Sequence, residues 1–264
     1  MRRDVTSKII MEVSETADLV FAVAVSTAYS PAVEEFTASL DGALVEASVV
    51  PDAHGTRLHR LTAGPGHLEV RYRATVDDGE TATASETDLL VYTRPSRYAE
   101  SDTLWPTAHA EFAGIADPVE LLAAVSSWVG TELAYVPGSS LPTDGATRTL
   151  LNRRGVCRDY AHLVVALLRS LDVPARLVAV YAPGLQPMDF HAVAEAWVDG
   201  AWRVVDATTL APRQTLVRIA TGRDAADTAF LTIASGRASL TTVEVTATAE
   251  SLPNDDVTQL VQLT

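Results

Sequence analysis

A chain of 264 residues with 47% hydrophobic content is long enough for one large domain or two ordinary ones and can fill a sizeable core. Its 34 acidic against 20 basic residues give a formal charge of -14, which repels phosphate backbones and anionic membranes, so neither nucleic acid nor a membrane is an expected partner. The single cysteine precludes an internal disulfide and agrees with a reducing compartment.

The longest apolar run, Leu19 to Val25, is far below the roughly 20 residues of a membrane span. No apolar stretch of signal-peptide length follows Arg2 and Arg3 before Glu12 and Glu15, and the expected location is cytoplasmic.

From Asp4 to about Tyr92 the pattern predicts strands. "SKIIMEV", "DLVFAVAVST", "ALVEASVV", "TRLHRLTA", "GHLEVRYRATV" and "ETDLLVYT" are separated by the turn signals "LDGA", "PDAHG", "AGPG" and "DDGE". Short strands at this spacing suggest an antiparallel β-sandwich. Residues 93–107, "TRPSRYAESDTLWPT" with two prolines, read as a connector.

Helical periodicity follows. Asp117 can cap a helix with Pro118 at its first position, placing Leu121, Leu122, Val125 and Trp128 on one face. A second helix is expected over about Gly145 to Asn152. A third begins near Cys157, with a broad apolar stripe through Tyr160, Val164, Leu168 and Leu171, and ends at Val173-Pro174. Strands return at "ARLVAVYA", "HAVAEAWVD" and "AWRVVDAT", the last two joined by Asp199-Gly200, a hairpin signal. A further strand is expected at "RASLTTVEVTATAE". The predicted organisation is a β-rich domain over residues 1–95 and an α+β domain over residues 96–264, with helices first and strands afterwards.

Three residues of the second half fit one chemistry. Cys157 would stand at a helix N-terminus, where free N–H groups and the helix dipole favour thiolate. His191 opens an apolar strand and Asp206 ends its hairpin partner. If Asp199 and Gly200 are the turn, Val198 pairs with Ala201 and His191 falls near residue 208, so Asp206 lies one or two positions off register and within reach. His191 could then take the thiol proton while Asp206 orients the imidazole, for acyl transfer through a thioester. Spacing alone leaves the bland reading open: Cys157 as a small buried hydrophobe, His191 as a core histidine, Asp206 as a turn residue.

"RRGVCRDYAHLVVALLRSLDVPARLVAVYAPG", followed by "MDFHAVAEAWVDGAWRVVDAT", resembles the core of the transglutaminase-like superfamily in its bacterial protease and amidase branch. "RPSRYAESD", "LAYVPGSS" with Tyr135, and "GRDAADTAFL" are secondary matches. The resemblance implies a papain-like α+β catalytic domain with a Cys157–His191–Asp206 triad, no cofactor, and a peptide or protein substrate. The activity it implies is cysteine-dependent hydrolysis of amide bonds. The alternatives are amine transfer to protein glutamine, or a non-catalytic scaffold that retains the fold. Two departures stand out: Ala207 occupies the place of a proline common after the aspartate, and Val193 replaces an aromatic residue common two positions after the histidine.

Tyr160, Glu195 and Arg158 are candidate substrate-binding residues. Tyr160 stands one helical turn after Cys157, Glu195 shares a strand face with His191, and Arg158 adjoins the cysteine. Asp159 and His162 rotate away from Cys157 and are expected to stabilise the helix start and to pack. His54, His59, His67 and His109 are scattered without ligand spacing, and no metal is predicted.

Overall fold

The alternation expected of half-buried strands begins at the first residues and lapses only at Glu15. The computed structural model describes residues 1–264. Its first strand, β1 (Arg3–Phe21), joins the two expected segments "SKIIMEV" and "DLVFAVAVST" into one 19-residue strand. Val5, Ile9, Met11 and Val13 are buried along one face. The polar stretch around Glu15 does not end the strand, because bulges absorb its register shifts.

Then come β2 (Val33–Leu40), β3 (Ala43–Leu44), β4 (Ser48–Pro51), β5 (Arg57–Ala63) and β6 (Gly66–Val76). β5 and β6 follow one another along the same side of β1, with Ala17 opposite Ala63 and Val13 opposite Gly66.

Two expectations fail in the next stretch. "ETDLLVYT" is not a strand but holds helix α1 (Glu86–Val91), which starts in a capping box: Ser85 Oγ accepts the Asp88 N–H at 3.1 Å, and Asp88 accepts the Ser85 N–H at 2.8 Å. Much of the expected connector is helix α2 (Ser101–Phe112), which accommodates Pro106 in its interior. Leu104, Ala108 and Phe112 bury its inner face.

α3 (Pro118–Glu132) begins as the sequence indicates, with Asp117 Oδ1 accepting the N–H groups of Val119 and Glu120. The remaining elements are β7 (Ala134–Tyr135), α4 (Ala146–Asn152), β8 (Arg154–Gly155), α5 (Cys157–Ser170), β9 (Ala175–Tyr181), β10 (Phe190–Val198), β11 (Ala201–Val205), β12 (Val217–Gly222), α6 (Ala225–Thr228) and β13 (Leu231–Ala249). None of the helices is long and apolar enough to cross a membrane.

Two antiparallel sheets organise these elements. The larger runs β3-β2-β6-β1-β5-β4, and β13 pairs with the free side of β1. The smaller runs β11-β10-β9-β12. The sequence places β13 in the second half, yet it pairs along β1 from Leu231 opposite Phe21 to Ala249 opposite Arg3. A division at residue 95 therefore does not separate the sheets: the 96–264 stretch supplies a full-length strand to the sheet of 1–95.

Nor does the first half form a sandwich of its own. Its strands make one sheet, whose apolar face needs a second layer. That layer is the smaller sheet, since Tyr181, Val217, Ile219 and Ala220 join the core of Leu19, Phe21, Leu68 and Val70. The smaller sheet also packs against α5: Leu163, Val164 and Leu167 share a core with Ala194, Ala196 and Val205. α5 is the central element, with all of its residues from Asp159 to Ser170 buried.

A candidate active site at the start of α5

Cys157 is the first residue of α5 and is half-buried. Val156 offers no side-chain acceptor for the helix start; Asp159 reaches back instead, its Oδ2 accepting the Val156 N–H at 2.8 Å. This close return explains Gly155, where a β-carbon would stand 2.6 Å from the Asp159 Cβ. Asp159 Oδ1 also accepts the Ser140 hydroxyl at 2.9 Å, which fastens the loop before α4 over the helix start.

The hairpin places the second and third residues as the turn predicts. Asp199 and Gly200 take left-handed φ values of 52° and 70°, Val198 pairs with Ala201, and Trp197 faces Trp202. Three residues beyond the last strand pair on the β10 side, the His191 Nε2–H donates to Asp206 Oδ2 at 2.8 Å, both side chains being buried. Asp206 Oδ1 accepts the Thr208 N–H and hydroxyl at 2.9 and 2.7 Å, which fixes the carboxylate. Ala207, in the place of the common proline, sits tightly against α3, its carbonyl 2.8 Å from where a Gly130 β-carbon would be.

With Nε2 committed to Asp206, Nδ1 is the ring nitrogen left over; it is buried without a hydrogen-bond partner. The Cys157 sulfur neighbours the His191 side chain. Burial alone would lower the His191 pKa; the Asp206 charge and hydrogen bond, with the Cys157 sulfur adding to them, outweigh that and raise it. Burial would raise Asp206, and the His191 and Thr208 contacts bring it below its ordinary value.

A fourth group stands at the thiol. β7 and β8 form a two-residue parallel ladder, with Tyr135 opposite Gly155 and the Val136 N–H bonded to the Gly155 carbonyl at 3.0 Å. This brings the Tyr135 phenol to Cys157. Its pKa is pushed up to about 12, first by partial burial and then by the Cys157 sulfur, so it remains an O–H donor. The sequence gives no sign of this role beyond Tyr135 itself, because a two-residue ladder has no periodicity to read.

Cys157 and His191 open onto a cleft of about 540 Å³ with mostly apolar walls, among them Ala179, Phe190, Ile219 and Phe230. A somewhat larger cavity of about 580 Å³, lined by His54, Asp88 and Tyr92 among others, contains none of the three residues.

The candidate binding residues fare differently. Arg158 lines the cleft, but its guanidinium donates to Ser140 Oγ at 2.6 Å and to the Leu141 carbonyl at 2.9 Å, tying down the same loop. Tyr160 is buried and donates its hydroxyl to the Leu133 carbonyl at 2.8 Å, so it anchors α5 to the end of α3. Glu195 is not placed to meet a substrate. It is 0% exposed and saturated by Arg176 and Arg218, at 2.7 and 2.6 Å. Burial would raise its pKa, but the two guanidinium groups lower it to about 2. Arg176 in turn stacks 3.8 Å over the Trp202 ring. The shared strand face that suggested Glu195 turns inward onto these arginines. His162 accepts the Ala225 N–H at 3.1 Å, a packing role as expected.

Comparison with known proteins identifies the family of the fold. The family model of the transglutaminase-like superfamily matches residues 107–207, which span α3, α5 and the hairpin up to Asp206. The crystal structure of a candidate cysteine protease from Cytophaga hutchinsonii is similar over the whole chain: 33% identity, a TM-score of 0.90, and coverage of 100% of this chain and 97% of that one. An uncharacterized Mycobacterium leprae protein is 29% identical over 156 residues, 54% of this chain and 55% of its own length. An uncharacterized Mycobacterium tuberculosis protein is 33% identical over 125 residues, 41% of this chain and 40% of its own. The chain thus spans about half the length, or less, of these curated relatives. With the family model centred on α5 and a 33%-identical structure superposing from end to end, the chain belongs to the transglutaminase-like superfamily.

Proposed function

We propose that the protein is a cysteine-dependent amide hydrolase acting on peptide or protein substrates through a thioester. The observation that carries this reading is the His191 imidazole, held by Asp206 through Nε2 with its unpartnered Nδ1 beside the thiol of Cys157. The Cys157 proton passes to Nδ1, and the sulfur attacks the amide carbonyl carbon. The resulting oxyanion meets the Cys157 N–H, which has no acceptor within the helix at the first position of α5, and the Tyr135 hydroxyl. The C–N bond then breaks as the His191 Nδ1–H protonates the leaving amine. Water adds to the thioester, giving its proton to His191, and collapse releases a carboxylic acid and the thiol. Asp206 stabilises the imidazolium in both halves without taking its proton.

The same residues serve amine transfer if an amine replaces water as acceptor. The likeness to the Cytophaga hutchinsonii structure, described as a candidate cysteine protease, favours water. The lone free thiol supports a reducing, cytoplasmic setting. The test is to incubate the protein and its Cys157→Ala variant with peptide amides and a fluorescent primary amine. Cysteine-dependent release of acid without amine incorporation is the expected result. Incorporation exceeding hydrolysis would make it a transferase, and peptide turnover equal in the two proteins would remove the thioester chemistry.

A further inference from the structure

We propose that the cleft beside Cys157 selects substrates with an aliphatic or aromatic side chain on the acyl side, within two residues of the carbonyl attacked. This rests on the reading of Cys157 as the nucleophile. Ala179 and Ile219 come from the smaller sheet, Ala225 and Ala229 from α6 and its end, and Phe190 and Phe230 stack 5.1 Å apart between them. Alanine walls leave the width for a large side chain, and the 540 Å³ volume can hold one with room for backbone.

The charged groups at the edge sharpen the selection. Arg158 turns its Nη2 to Ser140, Leu141 and Asp159, and its charge is paired with the Asp159 carboxylate at 3.2 Å. Asp189 gives one oxygen to the Phe190 N–H at 2.7 Å and leaves its negative charge at the cleft. An acidic side chain entering there meets an arginine already paired with Asp159 and the carboxylate of Asp189. A glutamine side chain finds no row of donors and acceptors and leaves its amide unpaired against apolar walls. A leucine or phenylalanine side chain loses nothing and removes apolar surface from water.

The test uses peptidyl acyloxymethyl ketones that differ only in one of the two residues nearest the ketone: Phe, Leu, Gln or Glu. Labelling of the lone cysteine is followed by intact mass, each rate taken relative to that of iodoacetamide. Phe or Leu at one of the two positions is expected to label roughly 10- to 100-fold faster than Gln or Glu. In Ala229→Trp, which fills the cleft, that ratio collapses; Phe230→Ala, which removes a wall, lowers it and serves if the first variant does not fold. Equal labelling by all four side chains, faster labelling by Gln or Glu, or a full preference retained in the folded variants overturns the selection while leaving the nucleophile intact. A thiol slow toward iodoacetamide and indifferent to His191→Ala overturns the nucleophile, and the selection with it.

Discussion

His191 Nε2 and Asp206 Oδ2 stand 2.8 Å apart in a buried pair, brought within reach by a two-residue turn at Asp199 and Gly200. Fifteen residues separate them in sequence, and the strand register closes the gap. The bond decides which nitrogen of His191 is available to Cys157, and its charge decides how readily that nitrogen holds a proton.

Asp206→Asn keeps the shape and removes the charge, so amide hydrolysis should fall by roughly 10²- to 10⁴-fold. Its stability effect depends on pH. His191 is raised, so its contribution is complete below its ordinary value of about 6.5 and is lost as pH rises through the raised value. Asp206 is lowered, so its contribution is complete above the ordinary carboxylate range and is lost only in acid. On a Cys157→Ala background, which removes the thiol's own titration, Asp206→Asn should cost more at about pH 5.5 than at about pH 9. Urea midpoints at the two values measure this; equal losses would contradict the pairing.

Tyr135→Phe removes one proposed oxyanion donor and leaves the ring. Turnover of a peptide amide should fall by about 10²-fold, much more than the rate at which iodoacetamide alkylates Cys157, because alkylation develops no oxyanion. Parallel losses in both would make Tyr135 a support for the thiol rather than a donor to the reaction.

Glu195→Ala leaves Arg176 and Arg218 buried side by side with no counter-charge. A loss of about 3–5 kcal/mol is expected by denaturant unfolding. The alkylation rate of Cys157 in the remaining folded protein should not change, since Glu195 touches neither the thiol nor the cleft. A selective loss of activity with stability intact would restore Glu195 to the site.

His162 is fully buried and neutral, lowered to about 3 by desolvation despite the nearby Asp224. A depressed histidine contributes stability above its ordinary value of about 6.5 and loses it steadily as pH falls, because only the unfolded chain takes the proton. His162→Phe should therefore flatten the fall in stability between about pH 6.5 and pH 4. Part of the slope remains, since burial also lowers His59 to about 4.

The site was more legible in the sequence than the architecture around it. Cys157, His191 and Asp206 could be placed because each depends on local signals: a glycine before a helix, a Pro-ended apolar stripe, and a hairpin whose turn sets the register. Tyr135 escaped because its position depends on the two-residue ladder of β7 and β8. Glu195 was misplaced because a strand face says which side chains run together but not what the next layer presents to them, here Arg176 and Arg218. The segment "ETDLLVYT" has strand-like residues, but the Ser85–Asp88 capping box made it a helix. The return of β13 to β1 is a long-range pairing that no local pattern encodes.

The most direct measurement is the alkylation rate of the lone cysteine as a function of pH, read by intact mass in the wild type and in His191→Ala. An activated pair gives a wild-type rate that stays high at about pH 6, at least tenfold above that of His191→Ala, with the two converging in alkali where an ordinary thiol ionises. Equal rates in the two proteins across the range, or a Cys157 that reacts only after unfolding, would contradict an activated Cys157–His191 pair.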